Sequence, residues 1–90
     1  MPTASAQVTI SNRLGLHARP AMALVDVANG YTSDIRLQKE SQSVDAKSIM
    51  QIMMLAATKG TALTVSADGP DADAAVQAIV SLVEAKFDEE

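Results

Sequence analysis

The stretch GLHARPAMALVDVANG, Gly15 to Gly30, decides the fold. Before it, Gln7–Ser11 alternates with Val8 and Ile10 on one face, the pattern of a half-buried strand. Asn12–Gly15 breaks that alternation. From Ala18 to Ala28 the period becomes helical, with Ala21, Leu24, Val25 and Ala28 on a single stripe. Asn29-Gly30 then marks the stop, because both residues tolerate the left-handed conformation in which helices commonly end. A strand, a short break and a one-sided helix open a layered domain in which the helix must lie on a sheet.

The same punctuation continues outward. Ser33–Lys39 alternates around Ile35 and Leu37, Glu40–Gln42 reads as a turn, and Ser43–Asp45 as a short strand with Val44 inward. Ser48 begins a second helix that Lys59-Gly60 ends. Ala62–Ala67 sets Leu63 and Val65 against Thr64 and Ser66, a fourth strand, and Asp68-Gly69-Pro70 turns the chain. The last helix carries Ala72, Ala75, Val76, Ile79, Val80, Leu82 and Val83, with Asp71 and Asp73 complementing its positive start. The order is βαββαβα. One-striped helices pack on one face of one sheet, so the expected fold is an α/β two-layer open-faced sandwich. The turn at Glu40 requires at least some antiparallel pairing. Residues 1–90 form one domain, with the first few residues and the acidic end DEE expected to fray.

Composition excludes several function classes. Seven Lys and Arg against eleven Asp and Glu leave a net charge of −4, with one Tyr, one Phe and no Trp. Such a chain lacks both the basic field that follows phosphates and the aromatic platforms on which bases stack, so no nucleic-acid partner is expected. No apolar run approaches the roughly 18 residues of a membrane span. The start MPTASAQ has neither a basic nor an apolar segment of a signal peptide, which points to the cytoplasm. There is no cysteine and only one histidine, too few good ligands for a metal, and no cofactor is expected. So small a domain also offers no cleft for a Ser-His-Asp hydrolase.

That one histidine, His17, falls at the N-cap of the first helix. The backbone N–H groups of Ala18 and Arg19 have no carbonyl partner in a helix starting there, and Pro20 has no N–H to lose. The free donors, the positive helix end and the Arg19 guanidinium can meet on one anion. The same helix end favours a neutral imidazole, leaving a ring nitrogen with a nucleophilic lone pair that can attack phosphorus. Gly15 lets the preceding loop turn sharply. An exposed cap with no chemistry fits these residues as well. Spacing alone does not separate the two readings.

The full pattern NRLGLHARPAMAL resembles the active-site signature of the HPr family, the histidine-phosphorylatable carriers of the bacterial phosphotransferase system. The resemblance spans nearly the whole chain, through AKSIM at Ala46–Met50, Lys59-Gly60 and SADGPD before the last helix. It implies a four-stranded antiparallel sheet covered on one face by three helices. It implies that His17 is phosphorylated at Nδ1 and that Arg19 neutralises and orients the phosphoryl group. The implied partners are enzyme I, which donates the group, and an enzyme IIA-type protein, which takes it. The chain would then be a monomeric carrier rather than a turnover enzyme. KFDEE and LGLHARPAM look similar to the nitrogen-branch carriers, whereas AKSIM looks like the sugar-branch ones. The rival class is a regulatory binding module of the same fold, against which the presence of His17 argues.

Ser48 and Gln51 form a capping box: the Ser oxygen accepts from the Gln51 N–H, and Gln51 reaches back. Resemblance adds that the matching serine is phosphorylated in many bacteria by a dedicated HPr kinase/phosphorylase, and a dianion there would repel an acidic partner. Ile52, Leu55 and Ala56 suit the core, while Met50, Met53, Met54 and Ala57 make a second stripe too many to bury in a thin domain. Methionine adapts to several partners in turn. Ile49, Met50 and Met53, which resemblance also places at partner contacts, are expected to form a docking patch, with Met22 joining from the first helix.

Overall fold

The computed structural model describes residues 3–89. It contains β1 (Thr3–Thr9), α1 (Ala18–Ala28), β2 (Asp34–Lys39), β3 (Gln42–Asp45), α2 (Ile49–Met54), β4 (Ala62–Asp68), α3 (Ala72–Glu84) and a 3-10 turn at Lys86–Asp88. The expected order of seven elements is therefore observed. The strands form one sheet in the order β1-β4-β2-β3, and each neighbouring pair is antiparallel. No helix among the described residues is long and apolar enough to cross a membrane.

The alternation read from the sequence is what makes the sheet one-sided. Val8 of β1, Ile35 and Leu37 of β2, Val44 of β3, and Leu63, Val65 and Ala67 of β4 are buried. Their neighbours in each strand are exposed or half-buried. Ala21, Leu24 and Ala28 of α1, Ile52 of α2, and Ala72, Ala75, Val76, Ile79 and Val83 of α3 close over that face in one core cluster. Burial of each large aliphatic side chain contributes about 1.5–3 kcal/mol. The opposite face carries Arg36, Gln38, Thr64 and Ser66, and among the described residues no helix covers it.

The structure corrects the reading at several element ends. Strand β1 reaches from Thr3 to Thr9 because every one of those residues pairs with β4, so that part of the start does not fray. Met1, Pro2 and Glu90 lie outside the described residues. Helix α1 stops at Ala28 as read, but Asn29 stays right-handed at φ −70°. The turn tightens instead, through Gly30 N–H to Val27 O and Tyr31 N–H to Ala28 O. Helix α2 is only six residues long, far short of Lys59-Gly60. Ala56 there adopts φ +51° and is exposed, while Ala57 turns inward to 3% exposure, the reverse of both expectations. Once the helix ends at Met54, helical spacing no longer says which way a side chain points. The Lys39 Nζ donates to the Leu55 carbonyl and so satisfies one of the orphan acceptors at that end.

Asp71 begins α3 without capping it. Its carboxylate accepts from the backbone N–H groups of Thr32 and Ser33, at 2.9 Å each, and from the Ser33 hydroxyl, tying the loop before β2 to the start of α3. These bonds, the Ser33 hydroxyl first and the Thr32 N–H next, outweigh burial and hold the carboxyl at about 2.

Candidate functional site

The loop between β1 and α1 sets the site. Gly15 has φ +69°, and a Cβ there would stand 2.5 Å from the Ala57 oxygen and 2.8 Å from the Thr58 Cα. Only glycine meets both conditions, the left-handed backbone and the close approach. Leu16 N–H donates to the same Ala57 oxygen at 2.8 Å, which pins the residue just before His17 against the segment after α2.

His17 is the N-cap of α1, in extended conformation at φ −80°, ψ −170°. The first intrahelical bond runs from Ala21 N–H to the His17 carbonyl. The N–H groups of Ala18 and Arg19 therefore have no helical partner, Pro20 offers none, and the predicted donor pair stands at the helix start. The imidazole makes no capping bond. Its Nε2 instead lies 3.0 Å from the Glu89 carboxylate oxygen Oε1, with the His17 and Glu89 side chains 36% and 21% exposed. Because an ionised carboxylate only accepts, the facing nitrogen is the one that carries the hydrogen. In the neutral ring Nδ1 then holds the lone pair.

Glu89 was expected to fray, and the finding overturns that. Its Oε1 also accepts from Asn12 Nδ2 at 3.0 Å, while Asn12 Nδ2 donates to the Gly15 carbonyl at 2.8 Å. Asn12 is fully buried, so one amide group joins the loop to the tail. Glu89 is held below its ordinary carboxyl value, chiefly by the hydrogen bond from His17. Burial opposes this, and the hydrogen bond from Asn12 and the charge of Arg19 add to it. The tail arrives by an unusual path. Lys86, Phe87 and Asp88 all have positive φ, between 56° and 59°, a conformation that costs a residue with a Cβ roughly 1–2 kcal/mol. Phe87, 7% exposed in the core cluster, anchors it. The sequence held one signal for this: the chain's sole phenylalanine sits among charges just before its end.

Arg13, Leu14, His17, Arg19, Asp88 and Glu89 line one surface groove. Arg19 is exposed and makes no ion pair among the described residues, so its guanidinium is available to an incoming anion. The apolar side chains expected at the surface are exposed: Met22 is 56% exposed, Ile49 37%, Met50 75%, Met53 43% and Met54 68%, and Leu14 at 62% adds a residue that sequence reasoning missed. No periodicity marks Leu14, because it lies in the loop.

Ser48 is the N-cap of α2, and its Oγ accepts from Gln51 N–H at 3.3 Å. The reciprocal half of the box does not form. Gln51 Oε1 accepts from Asp45 N–H at 2.9 Å, and Ser48 N–H donates to the Asp45 carbonyl. Strand β3 ends at Asp45, three residues before Ser48, and its last N–H competes successfully for the glutamine.

The site is therefore an open surface one: a single oriented histidine at a helix start, next to an arginine, on an open-faced sandwich with exposed methionines. Comparison with known proteins places the chain in a family. The family described as "PTS HPr component phosphorylation site" matches residues 4–85. The chain is 48% identical over 84 residues to the phosphocarrier protein HPr of Pseudomonas aeruginosa, covering 92% of this chain and 93% of that one. It is 43% identical over 83 residues to the phosphocarrier protein NPr of Shewanella violacea, covering 92% and 91%. HPr-C-His from Thermoanaerobacter tengcongensis superposes with a TM-score of 0.93 at 42% identity, over 97% of this chain and 98% of that one. An HPr dimer from the same organism gives a TM-score of 0.76 at 44% identity, over 89% and 92%. The chain belongs to the HPr family of the phosphotransferase system.

Proposed function

We propose that this chain is a phosphocarrier whose His17 takes a phosphoryl group at Nδ1 from phosphorylated enzyme I and passes it to an enzyme IIA-type protein. The observation that carries this is the orientation of His17. With Nε2 committed to Glu89, Nδ1 is the nucleophilic nitrogen, beside a helix start whose Ala18 and Arg19 N–H groups lack helical partners. Arg19 neutralises the added charge. The group rests on the surface, and the partners supply the remaining surroundings through the patch of Met22, Ile49, Met50 and Met53. Each partner leaves before the next arrives, which suits a cytoplasmic carrier acting as a monomer. The resemblance to both HPr and NPr relatives supports a role in sugar uptake or in carbon and nitrogen regulation.

Incubation with enzyme I and labelled phosphoenolpyruvate tests the reading. Label enters the wild-type chain and is absent from His17→Ala. Equal labelling of the two would refute it.

Ser48 serves as a regulatory phosphorylation site for an HPr kinase/phosphorylase. Its half-exposed hydroxyl stands next to Ile49 and Met50, so a phosphate there would put a dianion into the docking patch. Mass spectrometry of cells grown on a favoured carbon source checks this: persistent absence of phosphate on Ser48 while the kinase is active sinks it.

A further inference from the structure

We propose that Glu89 is the positioning carboxylate of His17, holding the ring through Nε2–H so that Nδ1 performs both transfers; this rests on the phosphocarrier reading above. The contact is built rather than incidental. Oε1 is shared between His17 Nε2 and Asn12 Nδ2, both at 3.0 Å, and Asn12 is itself bonded to the loop that carries the histidine. The tail reaches this point through three consecutive left-handed residues, an arrangement that local preference does not produce and that the buried Phe87 side chain holds. The family match ends at residue 85, before Glu89.

The chemistry follows from the geometry. On uptake the Nδ1 lone pair bonds to phosphorus as the bond from phosphorus to the donor breaks, and that electron pair leaves with the donor. The ring becomes cationic, with its proton still on Nε2, and the carboxylate 3.0 Å away balances the charge. On delivery the acceptor's lone pair bonds to phosphorus and the P–Nδ1 pair returns to the ring. The neutral imidazole re-forms in its starting tautomer, and no proton has moved. A carboxylate placed in this way orients a histidine and stabilises its cation without taking the proton. The other charged groups lining the groove are Arg13, Arg19 and Asp88.

The test uses the full chain, with Glu89→Ala, Glu89→Gln and Phe87→Ala as variants. Rapid-quench assays follow phosphoryl uptake from phosphorylated enzyme I. Nitrogen-15 NMR of the unphosphorylated proteins follows the His17 ring. Glu89→Ala is expected to accept phosphate about 10–100-fold more slowly, the range found when a metal-bound histidine loses its carboxylate partner. It should also lose the Nε2–H correlation of a hydrogen-bonded ring proton. Glu89→Gln, whose amide oxygen still accepts, keeps that correlation and recovers part of the rate. Phe87→Ala keeps both the His17 and the Glu89 side chains, yet by freeing the tail it reproduces Glu89→Ala with the circular dichroism of the fold unchanged. Wild-type uptake rates in Glu89→Ala and Phe87→Ala overturn the assignment and leave the phosphocarrier reading standing. A wild-type chain that takes up no phosphate overturns both.

Discussion

Replacing Gly15 with alanine separates two costs that glycine avoids. A Cβ at φ +69° pays for left-handed backbone, roughly 1–2 kcal/mol, and here it also meets the Ala57 oxygen at 2.5 Å and the Thr58 Cα at 2.8 Å. Those atoms are backbone, so no rotamer change relieves the overlap, and overpacking of this kind adds about 1–3 kcal/mol. Gly60 is the internal control, since its φ is +94° but a Cβ there meets nothing within 4 Å. Both substitutions restrict the unfolded chain alike, so that term cancels between them. Gly60→Ala should cost only the backbone term, and Gly15→Ala about 2–5 kcal/mol, a large share of the roughly 5–13 kcal/mol expected for a domain of this size. Urea unfolding measures both, with two-state behaviour expected at this length. In a thermal melt Gly15→Ala should fall below Gly60→Ala by at least about 4 °C. Because Leu16 N–H shares the Ala57 oxygen, Gly15→Ala should also displace His17 and slow phosphoryl uptake. Equal stability of the two variants, within about 0.5 kcal/mol, would show that the segment after α2 yields freely and that the close-approach argument is wrong.

Leu24→Ala, at a fully buried position of α1, should cost about 2–5 kcal/mol in chemical denaturation. Met50→Ser, at a position 75% exposed, should leave stability within about 0.5 kcal/mol yet weaken binding to enzyme I in titration calorimetry. Ser48→Ala removes the α2 cap and should cost about 1 kcal/mol, read from the urea midpoint. For Asp71 the folded value is lowered from 3.8 to about 2, so its contribution is fully present above 3.8 and is lost as pH falls through about 2. Asp71→Asn should therefore be less stable at neutral pH and show a flatter acid limb in unfolding midpoints measured across that window; an unchanged limb would mean that the Thr32–Ser33 loop contributes nothing there.

The order of the main elements and the core were legible because alternation and helical stripes are local consequences of burying one face. Val8, Ile35, Leu37, Leu63 and Val65 announce a one-sided sheet, and Ala21, Leu24 and Ile79 the helices that cover it. The unpartnered N–H groups of Ala18 and Arg19 next to His17 were legible because a helix start leaves its donors free wherever it occurs. Resemblance, rather than spacing, assigned the histidine its chemistry. Element ends were less legible. The shortness of α2, the inward turn of Ala57 and the use of Gln51 by Asp45 depend on contacts with β3 and the Gly15 loop. The tail was read wrongly, since DEE has the composition of a solvated end. Hydrophobic period and capping are settled among residues a few positions apart, so the sequence by itself determined the sandwich and the place of His17. The partner of that histidine comes from a residue 72 positions away, brought in by the burial of Phe87 and a strained left-handed turn. Only the packed tertiary structure sets which ring nitrogen is held and which is free, because no local rule connects Asn12, His17 and Glu89.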